Sequence, residues 1–348
     1  MTPHLRRKKR VIRQYAIGWP IGLVFLVCLR TIGTTTEGSF DPGLGLSLLI
    51  AMGFGLFFGV ISGYFQFIIE ERLYKRASIR KIIFLKFLYL TLFLLTIIVT
   101  AYLFTTSALD HQSTFLEFAF DKGSGVTYAY ILLFDNFMLL LRQVNLMLGE
   151  GNLTKIITGQ FYKPFEEERI FMFIDLQSST THAEKLGHVK YSLLLQDCFN
   201  DLSVIDDYRA QIYQYVGDEA VVSWKYNEGL NEANCLGAFY AFQERIEHRK
   251  NYYQSTYGFV PTFKAGVNCG KVTTTEVGRY KREIAYHGDV LNTAARIQAK
   301  CNELNEELLI SKAIYLSLQN EPFKFEHKGE IALKGKKNPL VIYGVSQQ

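Results

Sequence analysis

Four apolar runs dominate the first 148 positions of the chain. Gly43 to Ile69 and Phe87 to Ala108 carry no charged side chain. Each is long enough to cross the hydrocarbon core of a bilayer, which takes about 20 helical residues. Tyr15 to Leu29 is shorter and stops at Arg30. Val126 to Leu148 is apolar but contains Asp135 and Arg142. Four such runs in series predict four transmembrane helices, not the buried helices of a soluble core.

The pattern changes after Glu150. "GEGNLTKIITGQFYKPFEEER" mixes Gly, Pro and charges and reads as a linker, placed at 149–168. "IFMFIDL" (Ile170 to Leu176) is a continuous apolar strand. "SSTTHAEKLGHVKYSLLLQDCFNDLSVIDDY" has helical spacing, opened by Ser and Thr caps. "QIYQYVGDEAVVSW" alternates around a Gly-Asp turn and predicts a hairpin. Asn227 to Arg249 reads as a second helix, "PTFKAGVNCGKVTTTEVG" as two strands, and "GDVLNTAARIQAKCNEL" as a third helix with Asp289 near its start. "ELLISKAIYLSL", "FKFEHKGEIALKG" and "LVIYGV" close with a short helix and strands. The fold expected is an α-helical membrane domain (1–148) followed by an α+β domain (169–348), a mostly antiparallel sheet flanked by helices.

Loop charges orient the membrane part. "RRKKR" (Arg6 to Arg10) and "EERLYKRASIRK" (Glu70 to Lys81) are basic, whereas Thr34 to Gly43 and Ser107 to Gly125 are nearly free of Lys and Arg. Basic loops face the cytoplasm. Four crossings then put the N-terminus and the second half of the chain on the cytoplasmic side of an inner-membrane-type bilayer. No cleavable signal peptide is expected. These clusters explain the formal net charge of +5, which is not read as nucleic-acid binding. Asp135 and Arg142 are seven residues apart and share a helix face; Arg142 is expected to snorkel to the cytoplasmic surface and Asp135 to pair within the bundle. The five cysteines show no C-x-x-C pairing and read as reduced thiols. The apolar runs hold no His, so haem or quinone ligation is not expected there.

Two carboxylates stand out chemically. Asp175 ends the first strand and Asp218 sits at the hairpin tip. Either alone is an ordinary turn residue. On neighbouring strands of one sheet they would converge, and two carboxylates without a thiol or His cluster suit Mg²⁺ or Mn²⁺. Glu219 is expected to point the other way and to be structural. In "GDVLNTAARIQ", Asn292 and Arg296 are four apart on one helix face, with Thr293, Ala294 and Ala295 keeping the neighbourhood open. They make a plausible phosphate or ribose clamp. Lys334 and Lys336 in "ALKGKKNP" are further phosphate candidates, or else a solvated basic turn.

Taken together and in order, "FIDLQSST", "YVGDEAVVSW", "FKAGVNCGKV", "GDVLNTAARIQ" and "LKGKKNPLVIY" resemble the class III nucleotide cyclases over roughly Ile170 to Val345. The membrane half has no motif that matches. The resemblance implies a head-to-tail homodimer that converts ATP to 3′,5′-cyclic AMP and pyrophosphate. One subunit would supply Asp175 and Asp218, with the Ile174 carbonyl, to two Mg²⁺ or Mn²⁺ ions. The other would supply Asn292, Arg296 and Lys334. The backbone from Ile174 to Thr180, with Ser179 and Thr180 opening the helix, would hold the triphosphate. Adenine would be read by Lys264, aided by Thr262. The chain departs from the family at Ala285, which has no hydrogen-bonding side chain where the family carries Asp or Thr. The alternatives are a guanylate cyclase and a catalytically silent cyclase-like regulatory domain.

Overall fold

The computed structural model describes residues 3–33, 43–72, 79–108, 114–121, 124–149, 152–280, 282–331 and 339–347. The chain divides into two compact units, Met1–Val144 and Asn145–Gln348.

The first unit is helical: α1 (Pro3–Gly33), α2 (Leu44–Arg72), α3 (Ile79–Ala108), the short α4 (Phe115–Ala119) and α5 (Ser124–Leu148). Among the described residues four helices are long and apolar enough to span a membrane, at Leu5–Thr31, Leu44–Glu70, Phe87–Ser107 and Ser124–Leu148. Their inner faces meet around Tyr15, Trp19, Phe58, Phe93, Ile131 and Met138. Association in lipid has no hydrophobic drive between helices, so it depends on close packing. Gly55, Gly59 and Gly63 form one stripe of α2, and a Cβ on any of them would fall within 2.5–2.8 Å of the α1 backbone at Pro20, Tyr15 and Ile12.

Charge inside this unit is paired. Arg142 of α5 is 1 % exposed. It donates from Nε to Glu70 Oε1 at 3.0 Å and from Nη2 to Glu70 Oε2 at 3.1 Å. Gln66 Nε2 also donates to Glu70 Oε1, and Arg7 of α1 approaches Glu70 Oε2 at 3.5 Å. The expected snorkelling of Arg142 is therefore corrected: α2 runs on through Glu70, which supplies a carboxylate inside the bundle. Asp135 pairs internally, accepting from Ser62 Oγ at 2.9 Å, while the Tyr89 hydroxyl donates to Ser62 Oγ at 3.0 Å.

The second unit opens with α6 (Asn152–Ile157), inside the stretch read as linker, and β1 (Phe165–Leu176). There follow α7 (Ser179–Leu202), β2 (Gln211–Val216), β3 (Glu219–Lys225), α8 (Tyr226–Leu230), α9 (Asn234–His248), α10 (Lys250–Tyr257), β4 (Phe263–Val277), β5 (Glu283–His287), α11 (Asp289–Ala299), α12 (Cys301–Leu304), β6 (Leu308–Ser311), α13 (Lys312–Leu318), β7 (Phe323–Ile331) and β8 (Leu340–Gln347). The strand order is β2-β3-β1-β4-β6-β8-β7, with β5 on β4. Every pairing is antiparallel except β4–β6.

Strand alternation sorts β1 into two faces. Ile170, Met172, Ile174 and Leu176 join Val222, Trp224, Ala265 and Val267 beneath α7 and α9, where Leu194, Leu202, Phe239 and Phe242 complete the main core. Phe171 and Val221 face the other way and meet Val290 and Ala294 of α11. Two expectations are corrected here. "FKAGVNCGKVTTTEV" is one strand of 15 residues, because Gly270 is extended and continues the ladder with β1. Asn227 to Arg249 is not one helix: left-handed Glu232 and Ala233 separate α8 from α9.

Candidate active site

Asp175 is the penultimate residue of β1. It lies opposite Glu219 of β3 on one side and Lys264 of β4 on the other. Directly opposed residues of antiparallel strands project from the same face, so all three side chains stand on one surface. β2 and β3 are joined by Gly217 and Asp218 alone, with Gly217 at φ +63. A left-handed first turn residue is the hairpin geometry that glycine favours. It leaves Asp218 at the tip, beside Asp175.

The carboxylates crowd one another. Burial first, and then the Asp218 charge, push the Asp175 carboxyl up to about 6. Burial, then Asp175 and Asp218, push Glu219 up to about 7. Glu219 is thus a member of the site, correcting its expected orientation. Asp218 sits in the turn, outside the strand alternation, so the alternation of β3 begins at Glu219, on the Asp175 side.

Neutral side chains border the cluster. Gln298 Nε2 of α11 donates to Asp175 Oδ2 at 3.2 Å. The Tyr191 hydroxyl of α7 contacts Ser179 and feels both Asp218 and Asp175; burial, then these charges, raise its pKa. Sequence reading missed Gln298 and Tyr191. A periodicity signal places both on helices but does not say which helix lies across the end of β1.

The turn from β1 into α7 passes through Ser178 at φ 58, a left-handed conformation costly for a residue with a Cβ. The Ser178 side chain makes no capping bond, against the expected cap. Ser179 is half-buried and Thr180 exposed in the first turn of the helix. Helix-opening N–H groups suit an anion. Thr262 Oγ1 donates to Gln177 Oε1 at 3.1 Å, and the Gln177 N–H donates to the Thr262 carbonyl at 2.9 Å, so Thr262 closes this turn. Ile174 has its side chain in the main core, and its backbone lies opposite Ala220 and Ala265.

Lys264 is buried, and its Nζ donates to Asn302 Oδ1 of α12 at 2.9 Å. Ala285 lies opposite Thr275 on β4, while Lys264 lies opposite Asp175, so the two positions are eleven residues apart along β4 (264 to 275). Asn292 is exposed and Arg296 half-buried on α11. The residues between them do not hold a space open: Thr293 and Ala294 are buried, packing the helix on the sheet. Lys334 and Lys336 lie outside the described residues.

Among the described residues no three carboxylate, imidazole or thiol groups close into a ready metal cage. The donor chemistry still fits Mg²⁺ or Mn²⁺. Hard carboxylate oxygens are crowded until protonation becomes favourable, and Mg²⁺ is commonly held by one or two carboxylates together with substrate phosphates.

Comparison with known proteins agrees with this architecture. The family described as "Adenylate and Guanylate cyclase catalytic domain" matches residues 162–347. "Adenylate cyclase 2" of Rhizobium meliloti (strain 1021) is 34 % identical over 206 residues, 59 % of this chain and 57 % of that protein. The chain therefore matches little more than half the length of that relative. Two structures of a bacterial light-regulated adenylyl cyclase overlay with TM-scores of 0.54 and 0.55, each at 18 % identity. They cover 64 % and 65 % of this chain and 66 % and 67 % of theirs. At that identity the overlays speak for the fold.

Proposed function

Because this chain belongs to the adenylate and guanylate cyclase catalytic domain family, we propose that it is a membrane-anchored adenylate cyclase, converting ATP to 3′,5′-cyclic AMP and pyrophosphate. The observation that carries the reading is the convergence of Asp175 and Asp218 where β1 meets the β2–β3 turn. Two divalent ions held there, Mg²⁺ or Mn²⁺, would lower the pKa of the ribose 3′-hydroxyl and offset phosphate charge.

The chain's own groups do the rest. Asp175 and Asp218, with the Ile174 carbonyl, would hold the ions. The N–H groups opening α7, with Ser179 and Thr180, cradle the triphosphate. Asn292 and Arg296 stand on α11, where the side chain that reaches Asp175 is Gln298. We assign them to the second site of a homodimer: the partner subunit's Arg296 stabilises charge on the α-phosphoryl group and the partner subunit's Asn292 orients the ribose. Lys334 joins them at the phosphates. Lys264 and Thr262 are assigned to the adenine. The name of the relative favours ATP over GTP. The four spanning helices and the basic segments beside them support a catalytic unit on the cytoplasmic side.

The test is product formation by the full chain in lipid nanodiscs, with Mn²⁺ and either ATP or GTP, beside Asp218→Ala. Cyclic AMP from ATP, absent in the variant, is expected. Cyclic GMP from GTP alone keeps the mechanism and overturns the base assignment. No product from either nucleotide by a folded dimer favours a silent regulatory domain.

A further inference from the structure

Gln298 of α11 bonds to the carboxylate cluster, and two independent features fix it there. The first is its hydrogen bond to Asp175 Oδ2 at 3.2 Å. The second is its main chain. A Cβ built on Gly266 would lie 2.2 Å from the Gln298 nitrogen and 2.6 Å from the Ala294 carbonyl oxygen. The helix backbone therefore rests directly on β4 at the point where the Gln298 side chain begins. Its amide must span from β4 to β1, and the distance it spans is set by glycine contact.

The chemistry of the donor matters as much as its place. The cation nearest in register is Lys264, opposite Asp175 on β4, and its ammonium is drawn to Asn302. The groups acting on Asp175 include the Asp218 carboxyl, the Gln298 amide and the Leu176 N–H. An amide orients a carboxylate without neutralising it. A lysine in its place would satisfy the charge that a divalent ion is needed to satisfy.

We propose that Gln298 is a positioning residue: it fixes the rotamer of Asp175 so that one carboxylate oxygen is committed to the protein and the other is presented to a divalent cation. This rests on the cyclase reading above. Because α11 also carries Asn292 and Arg296, the same helix would set the metal carboxylate of its own chain while offering its clamp to the partner.

The experiment titrates Mn²⁺ alone into the full chain in nanodiscs and reads free Mn²⁺ by electron paramagnetic resonance. Groups that orient metal ligands contribute about 10-fold or more to affinity. Gln298→Met keeps length and packing but cannot donate, and is expected to weaken Mn²⁺ binding by about 10-fold. Gln298→Lys should weaken it further. Half-saturating Mn²⁺ for turnover should rise in parallel, while the KM for ATP at saturating Mn²⁺ stays within about twofold.

Mixed dimers separate positioning from damage to the helix. In a dimer of an Asp218→Ala chain with an Arg296→Ala chain, one site retains all its groups, and its carboxylates come from the Arg296→Ala chain. Gln298→Met should raise the Mn²⁺ requirement when placed on that chain and not when placed on the other. Equal effects on either chain, or wild-type Mn²⁺ binding by Gln298→Met, overturn the inference while leaving the cyclase reading standing. A wild-type chain that makes no cyclic nucleotide overturns both.

Discussion

Arg142 in the membrane unit is 1 % exposed and meets both oxygens of Glu70, whereas in the catalytic unit Asp175, Asp218 and Glu219 converge and the neutral Gln298 amide donates to Asp175. The first cluster is buried and the second half-buried, and both stand near helix or strand ends. They differ in whether the protein completes its own charge. A buried ion pair with its hydrogen bonds made holds elements in register and has little left to offer a ligand. A cluster of like charges is incomplete until a cation arrives. On that difference we assign structure to the first cluster and chemistry to the second.

The largest effect that can test the contrast is on turnover. Asp175→Ala should lower cyclic nucleotide formation by about a thousandfold or more, since several kcal/mol of charge stabilisation leave with the ions. Thermal unfolding of the metal-free protein should not fall in step, because the substitution relieves repulsion. A variant that loses fold and activity together would erase the distinction.

The membrane cluster should behave in the opposite way. Arg142→Leu leaves Glu70 buried without its bidentate partner and should cost about 3 kcal/mol or more. Glu70→Leu together with Arg142→Leu should recover most of that, as apolar replacement of a whole buried pair is often neutral. Unfolding of the purified chain in nanodiscs measures both. If the double variant is no better than the single, Gln66 and Arg7 carry more of the cluster than the pair does.

How much of this was legible in the sequence follows the same divide. The four spanning runs and the Gly-Asp hairpin are local patterns, and they read correctly. Asp175 and Asp218 stand out because one closes an apolar strand and the other sits in a tight turn between two strands. Glu219 was misread because its side depends on where the turn stops and the ladder begins, which is fixed by pairing with β1. Gln298 was invisible because its role depends on α11 lying flat on Gly266. Glu70 reads as part of a basic loop, since hydropathy ends a helix at the first charge while the partner Arg142 lies 72 positions away. Ser178 showed only as a cap, and its left-handed backbone belongs to the tertiary turn.

Glycine gives a smaller test, because both units use it to bring backbones together. Gly266→Ala drives a Cβ into the Gln298 nitrogen, and Gly59→Ala drives one to 2.6 Å from the Tyr15 carbonyl oxygen. Each should destabilise its own unit by about 1–3 kcal/mol. Only Gly266→Ala should also raise the Mn²⁺ requirement for turnover, since it displaces the helix that carries Gln298. Equal Mn²⁺ curves for both variants would detach α11 from the carboxylate cluster.

The smallest effect is on pH. Asp175 and Glu219 titrate at about 6 and about 7 in the folded chain, above their ordinary 3.8 and 4.5. In that interval the folded state binds more protons than the unfolded state, so stability falls as pH rises. The contribution is fully present below about pH 4 and is lost as pH passes through 6 and 7. Both groups are partly exposed, so solvent screens the effect. A chelated sample should melt a few degrees lower at pH 8 than at pH 5.5 from this source. Glu219→Gln should flatten the profile, and saturating Mn²⁺ should raise the melting point more at pH 8 than at pH 5.5, because the ion competes with protons for the same oxygens. A profile that stays unchanged in Glu219→Gln and indifferent to Mn²⁺ would mean that the three carboxylates do not act as one charged site.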